Sequence, residues 1–188
     1  KEVCIEAPLH LATLLKQDIM SIIFKLSKIE IAPLKLNIAQ ALFSLTKPYD
    51  EVSTAKLLKW DAIDTIFWLT VHDALKLYDP IKRVCARALM NFSVTKAEAL
   101  VLVQEDRFIT IMQELAKSVN EDCLVITATI VYNLISMDEC RPTLVKRGGI
   151  PLIFQLAASN YESVRHICSA SLHMAPDDMP DLEDEETL

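Results

Sequence analysis

The residues that could hold a metal ion stand close together near the C-terminus: His166, Cys168 and His173. Imidazole and thiolate groups are ligands that zinc prefers. On a helix, however, residues two positions apart point to different faces, so these side chains do not converge on one ion. The sequence also has no phosphate-binding glycine loop and no nucleophile beside a base. It therefore predicts a protein that is not an enzyme and uses no metal and no cofactor.

The five cysteines fit the same interpretation. Their number is odd, they are widely spaced, and they stand in apolar stretches: Cys4, Cys85, Cys123, Cys140 and Cys168. This usage is typical of reduced thiols in a core rather than of a disulfide framework. We therefore expect a cytoplasmic protein that is not secreted, with the cytoskeleton and the nucleus as alternative compartments.

Two arginines and two asparagines have the chemistry to bind another protein. Arg83, Arg87 and Asn91 follow one another at intervals of four, and Asn133 lies 42 positions after Asn91. A side-chain amide offers a donor and an acceptor to a peptide backbone, and a guanidinium pairs with carboxylates. Residues four apart share one face of a helix, so long helices side by side are needed to position these groups.

Composition favours such helices. Apolar residues make up 52% of the 188-residue chain, and its two glycines, Gly148 and Gly149, are adjacent. Sheet-rich and nucleotide-binding folds of this length need more glycine for turns and phosphate loops. The longest nearly apolar run, Leu124 to Ile135, is too short to cross a membrane, which takes about 20 residues. We therefore predict an all-α fold with this run as a buried core helix and no membrane span.

Acidic residues are concentrated at the C-terminal end. The chain has 19 Lys and Arg against 26 Asp and Glu, and seven of the acids follow Ala175. Residues 1–175 are thus neutral, which argues against a nucleic-acid surface. Residues 176–188, with two prolines and little to bury, are predicted to form a disordered tail or linker. A sharper hypothesis is that this tail reaches back to Arg83 and Arg87.

The chain repeats itself with a period of forty-odd residues. The segment that begins at Ile81 recurs at Cys123, at Val164 and, 47 positions earlier, at Leu34. Small and apolar residues then fall into columns at helical spacing, one of which contains Leu42, Leu89, Val131 and Leu172. A second apolar segment recurs just upstream, as in Ile22-Ile23-x-x-Leu26 and Ile111-Met112-x-x-Leu115. Each unit is therefore read as a short, a middle and a longer third helix, over approximately 7–48, 49–95, 96–136 and 137–175. The middle helix of the second unit fits worst, at Trp68, His72 and Asp73.

The run from Arg147 to Met174 resembles the armadillo repeat. That family joins a Gly-Gly-Ile-Pro turn, here residues 148–151, to an apolar helix and a closing Ala-Leu-x-Asn-Leu helix, here Ala88-Leu89-Met90-Asn91-Phe92. The resemblance implies a right-handed α-α superhelix of about four repeats, expected to belong to a longer solenoid. A two-helix repeat of the HEAT type is the alternative, but the glycine turn and the short first helix favour armadillo.

In such a stack the third helices form a ladder along the concave side. Positions four and eight before each asparagine share its stripe, which makes this groove the candidate partner-binding surface. Its predicted site residues are Gln40, Ser44, Arg83, Arg87, Asn91, Thr129, Asn133 and His166. The stripe also contains apolar Leu36, Val125, Ala170 and Met174, so either a partner covers it there or the register is off by one position. Alternatively, Asn91 and Asn133 only bridge turns inside the solenoid, and the arginines are plain solvated charges.

The resemblance implies a scaffold or adaptor that binds a protein partner, such as an extended peptide or an acidic segment, within a larger complex. It does not extend to the importin-alpha type, which has a Trp four residues before each Asn where this chain has Arg87 and Thr129. The alternative is an architectural component of the cytoskeleton or of an axoneme, binding through its outer surfaces. Because the stretch from Lys1 to Ile19 lacks a polar outer face, we also expect further helical repeats before it or a partner that covers it.

Overall fold

The computed structural model describes residues 19–47, 57–58, 61–71 and 79–175. These ranges contain ten α-helices and no strand, so the predicted all-α class is confirmed. In chain order the helices are α1 Ile19–Ser27, α2 Ala32–Leu45, α3 Ala62–Thr70, α4 Asp79–Phe92, α5 Lys96–Gln104, α6 Phe108–Leu115, α7 Glu121–Ser136, α8 Arg141–Lys146, α9 Gly149–Ala157 and α10 Glu162–Leu172. The predictions for the acidic tail and for Lys1–Asp18, His72 and Asp73 lie outside the described residues.

The helices stack in two layers. The longer helices α2, α4, α7 and α10 pack one against the next, and α1, α3, α6 and α9 pack behind them in the same order. The shorter helices α5 and α8 precede α6 and α9. We refer to α1–α2 as unit 1, α3–α4 as unit 2, α5–α7 as unit 3 and α8–α10 as unit 4. Each unit touches its neighbours in the order of the chain, as expected of a solenoid.

The columns found in the sequence form the core. Leu42, Leu89 and Val131 are almost completely buried, while Leu172 in the last unit is half-buried. Burial of such a side chain contributes about 2 kcal/mol, so this column supplies a similar increment in units 1 to 3 and a smaller one in unit 4. The run from Leu124 to Ile135, which was predicted to be a core helix, lies in α7 and contains seven buried residues.

Hydrogen bonds between units repeat with the same period as the sequence. Ser118 Oγ donates to Asp79 Oδ1 at 2.7 Å across 39 residues, and Ser163 Oγ donates to Glu121 Oε1 at 2.8 Å across 42. The Tyr161 hydroxyl donates to the Val119 carbonyl oxygen, also across 42 residues. A side chain in one unit thus forms its hydrogen bond with a nearly equivalent position of the unit before it.

The paired glycines are explained by the turn between α8 and α9. Gly148 has φ +94°, a left-handed conformation that L side chains rarely adopt. A Cβ on Gly149 would stand 2.8 Å from the Leu144 carbonyl oxygen and 2.7 Å from its Cγ. The two positions therefore need glycine for different reasons, backbone conformation in one case and close packing in the other.

Trp68, which broke the apolar pattern of the second unit, is half-buried on α3, and the Lys28 ammonium lies 5.4 Å from its ring centroid. The apolar face of α3 is still present, because Ile63, Ile66 and Leu69 are buried. None of the described helices is both long enough and apolar enough to cross a membrane.

Candidate partner-binding face

One side of the long helices stays partly open to solvent. It is formed by the three residues of each unit that the asparagine stripe predicted, and we call it the open face. All twelve are half-buried except the exposed His166: Leu36, Gln40 and Ser44 on α2, Arg83, Arg87 and Asn91 on α4, Val125, Thr129 and Asn133 on α7, His166 and Ala170 on α10, and Met174 two residues after α10. Intermediate burial suits a surface that is shaped by neighbouring helices yet remains accessible.

The two asparagines are hydrogen-bonded to the preceding unit. Asn91 Nδ2 donates to Thr46 Oγ1 at 3.0 Å, and Asn133 Nδ2 donates to Ser93 Oγ at 3.0 Å. Thr46 and Ser93 stand two positions after Ser44 and Asn91, so the same contact is made at two successive junctions. The hypothesis that these asparagines bridge the units of the solenoid is therefore correct as far as their amide nitrogens are concerned.

The hydroxyl groups fix which way each amide points. Thr46 Oγ1 donates its proton to the Phe43 carbonyl oxygen at 3.1 Å, and Ser93 Oγ donates to the Met90 carbonyl oxygen at 2.8 Å. Each hydroxyl can then only accept from the asparagine, which must present its NH₂ group. The carbonyl oxygens of Asn91 and Asn133 form no hydrogen bond with the described residues and are not buried. They remain as two oriented acceptors, one unit apart.

The two arginines differ in their availability. The Nη1 atom of Arg83 lies 3.4 Å from Asp122 Oδ2 in the next unit, and its Nε atom is buried without a partner among the described residues. Arg87 forms no ion pair or hydrogen bond with any described residue and is half-buried on the same face. Of these two guanidinium groups, that of Arg87 has no partner in the described part of the fold and is therefore available to an acidic group.

The remaining predicted residues contribute less directional chemistry. The Ser44 hydroxyl donates to the Gln40 carbonyl oxygen and that of Thr129 donates to Val125, so both protons are used within their own helices. The side chains of Gln40 and His166 make no hydrogen bond within the described ranges. His166 and Cys168 are not brought together with other ligands, because the described residues contain no group of three potential metal ligands.

A column beside the asparagines was missed from the sequence. Phe43, Met90 and Tyr132, each one position before Ser44, Asn91 and Asn133, are half-buried and lie about 100° around their helices from that stripe. The Lys47 ammonium lies 5.5 Å from the Phe43 ring centroid. The spacings of 47 and 42 already aligned these residues. The alignment did not indicate that the column one position before the asparagines is also partly accessible to solvent. They add an apolar strip to the polar ladder.

The cysteines that the structure describes are buried, and no disulfide joins any two of them. Burial raises the pKa of the Cys168 thiol to about 11, and it also raises the pKa of Cys123 and Cys140 above the ordinary value. Thiols with raised pKa values stay protonated at neutral pH, and the protonated thiol is not the nucleophilic form. Their chemistry is that of small apolar core residues.

No protein-family model matches the sequence, and no curated protein has a matching sequence. Among solved structures, the crystal structure of computationally designed armadillo repeat proteins for modular peptide recognition matches with a TM-score of 0.70 and 14% identity, covering 93% of this chain and 71% of that one. The designed armadillo repeat protein YIII(Dq)4CqI covers 93% of this chain and 90% of its own length at 14% identity, but its TM-score of 0.47 is too low to add to the assignment. The two packed helical layers, the forty-residue period and the first of these matches together identify the fold of this chain as an armadillo-type solenoid.

Proposed function

We propose that this chain is a non-enzymatic scaffold that binds an extended segment of a protein partner along the open face. The observation that carries the proposal is the pair of asparagine carbonyl oxygens that stay without a hydrogen bond among the described residues, because the Thr46 and Ser93 hydroxyls accept from the amide nitrogens. Fixed acceptors at regular intervals suit the N–H groups of a peptide backbone, which every sequence presents. The structural likeness to armadillo proteins designed for peptide recognition agrees with this use of the fold.

The spacing of the acceptors suits an extended chain. Packed helices are about 8–10 Å apart, and an extended peptide advances about 3.3 Å per residue. Each unit would therefore match two to three residues of the partner. Arg87, one turn before Asn91 on α4, favours an acidic side chain beside that asparagine, and the Phe43, Met90 and Tyr132 strip favours apolar side chains in the partner.

Selection from a peptide library tests this proposal with no assumption about the identity of the partner. A random twelve-residue peptide library displayed on phage is selected on the immobilised full chain, and enriched peptides are measured by fluorescence anisotropy. We expect enriched peptides to contain acidic residues. We expect Asn91→Ala combined with Asn133→Ala to weaken their binding about tenfold or more, since each lost hydrogen bond is worth about 1 kcal/mol.

Matched controls separate the face from the rest of the surface. Asn160→Ala removes an exposed asparagine from the loop before α10, and Arg165→Ala removes an exposed arginine that is not on the open face. Both should leave peptide affinity unchanged, whereas Arg87→Ala should weaken it for acidic peptides alone. Peptides that bind the control and asparagine variants equally well would show that the binding surface lies elsewhere.

A further inference from the structure

A stripe of large aliphatic side chains on unit 1 is open to solvent. Ile22 on α1 is 50% exposed and Leu26 is 36% exposed, and the stripe continues into the turn that follows with Ile29 at 41% and Ile31 at 53%. The opposite side of the same helix is buried, with Met20 and Ile23 in the core. The helix thus has two apolar sides, and only one of them is covered by the described residues.

The equivalent residues of the later units are completely buried. Under the shifts that align the units, Ile22 and Leu26 correspond to Ile111 and Leu115 in unit 3, which are both 0% exposed. In unit 4 they correspond to Leu152 and Leu156, each 1% exposed. The residue type is therefore the same in all three units, and the difference lies in what covers it.

Neighbouring contacts show that the preceding unit provides this cover. On the same side of α6 as Ile111 and Leu115, Glu114 Oε1 lies 3.0 Å from Lys82 Nζ, and Ser118 donates to Asp79 at 2.7 Å. Arg107, just before α6, pairs with Asp64 on α3. All three partners belong to unit 2. The matching side of α1 is therefore the side on which a unit would be placed before unit 1.

We propose that this stripe binds an armadillo-type helical unit from outside this chain, one that presents an apolar helix surface and an acidic side chain opposite Lys25. The acidic side chain of the partner is inferred from the charge of Lys25. Where unit 3 has Glu114 facing Lys82, unit 1 has the exposed Lys25, so the charge is reversed and a complementary partner must be reversed as well.

The two ends of this chain do not fit each other. In unit 4 the exposed Arg165 and Ser169 occupy the positions at which unit 3 has the buried Leu124 and Ala128. If the C-terminal end of a second copy docked on unit 1, Arg165 would lie opposite Lys25, and like charges disfavour that contact.

Face-to-face pairing of two copies is also a poor match. Four aliphatic side chains, each about half exposed, offer roughly 300 Å² per copy, while a stable interface buries about 800 Å² on each partner. A complete helical unit, in contrast, covers the stripe in the way that unit 2 covers unit 3. The occupant that fits both the geometry and the charge is therefore another repeat.

The first experiment asks whether the stripe is open in the intact 188-residue chain. An exposed-hydrophobe dye, anilinonaphthalene sulfonate, should bind, and Ile22→Asp with Leu26→Asp should reduce its fluorescence at least twofold. Phe154→Asp, which changes a side chain that is 56% exposed on α9, should have a smaller effect than the double variant. If the wild-type chain binds no dye as a monomer and the amides of α1 are strongly protected from hydrogen exchange, residues 1–18 cover the stripe and the proposal is wrong. If sedimentation shows a dimer that the double variant dissociates, the occupant is a second copy and the proposal is equally wrong.

The second experiment supplies an occupant. The full chain is extended at its N-terminus by a copy of its own residues 49–95, in one version with Lys82→Glu in the added copy and in another with Lys82 retained. The Glu version should slow exchange of the α1 amides about tenfold or more, and the Lys version should do so less. Equal exchange of the α1 amides in the extended and the original chain, with the added copy shown to be helical by circular dichroism, would overturn the proposal.

Discussion

Two junctions of the stack can be compared: one joins units 2 and 3, and the other joins units 3 and 4. Equivalent helices pack together in both, but the side chains that connect them differ. In the first, Lys82 pairs with Glu114, and Asn133 donates to Ser93. In the second, Gln155 takes the place of Glu114 and donates to the Gln113 carbonyl oxygen at 3.2 Å. Met174 takes the place of Asn133. The first junction thus has an ion pair and a hydrogen bond between side chains. The second has a side-chain-to-backbone hydrogen bond and an apolar residue at the equivalent positions.

The replacement of the asparagine is a replacement of two residues. At the second junction Ile135 stands where Ser93 stands at the first, so the amide and the hydroxyl are both absent. Leaving one of them would strand a polar group in a tightly packed junction, which costs about 1–3 kcal/mol. The comparison teaches that the asparagine and the hydroxyl of the preceding unit act as one element.

The largest difference between the junctions should follow from Glu114→Ala. It leaves the nearly buried Lys82 ammonium with the backbone carbonyl of residue 114 as its remaining partner, and removing one member of such a pair should cost about 2–3 kcal/mol. Gln155→Ala at the equivalent exposed position should cost less than about 1 kcal/mol. Urea unfolding followed by circular dichroism measures both. Equal costs would mean that the two junctions are energetically alike.

The same pair should make the first junction sensitive to acid. Burial alone would raise the pKa of Glu114, but hydrogen bonds from Lys117 and Lys82 outweigh burial and hold its pKa below the ordinary value of 4.5. A carboxyl group whose pKa is lowered by folding stabilises the fold fully above its unfolded pKa, and this contribution is lost as the pH falls through its folded pKa. Below about pH 4.5 we therefore expect α4 and α6 to lose hydrogen-exchange protection before α9 and α10, after correction for intrinsic exchange rates.

Glu114→Gln is the control for this pH dependence, because it keeps the shape of the side chain and removes the titration. In that variant the two junctions should lose protection together as the pH falls. If the early loss in α4 and α6 persists, another carboxyl group is responsible for it.

The fold could be predicted from the sequence because equivalent positions are buried in successive units and therefore have to be apolar. Leu42, Leu89 and Val131 have to be apolar at every level of the stack, so their column survives even where other positions vary. The hydrogen-bond partners across the junctions could not be predicted in the same way. Thr46 and Ser93 are small polar residues at helix ends, and such residues also terminate helices or cap turns without bonding to another unit. Their role depends on the distance between helices, which no spacing along the chain specifies.

The pairing of Arg83 shows the same limit. Helical spacing placed Arg83 on the asparagine stripe, but Asp122 reaches it from the next unit. The sequence placed Asp122 at the start of the following long helix without indicating that its carboxylate faces back. Exposure of a stripe follows from periodicity, whereas availability of a charge on it depends on tertiary contacts.

A double-mutant cycle on Asn133 and Ser93 should show that the ladder is a single element. Asn133→Ala and Ser93→Ala should each cost about 1 kcal/mol, and the double variant should cost less than their sum by about 1 kcal/mol, because the second change removes a bond that is already lost. The reverse test uses the other junction, where Met174→Asn should bring no stability without a hydroxyl at position 135. Additive costs at Asn133 and Ser93 would show that the two residues act independently.

The smallest effect is expected at Arg83, and it decides how the open face is used. Asp122 is mostly exposed and the pair is separated by 3.4 Å, so Arg83→Ala should cost less than about 0.5 kcal/mol, and the cost should disappear in about 1 M salt. With acidic peptides, Arg83→Ala should weaken binding less than Arg87→Ala, because Arg83 must first leave Asp122. Asp122→Asn separates the two explanations: it frees Arg83 and should strengthen the binding of acidic peptides. If it has no such effect while Arg83→Ala and Arg87→Ala weaken binding equally, the ion pair does not restrict Arg83, and both arginines belong to the binding face.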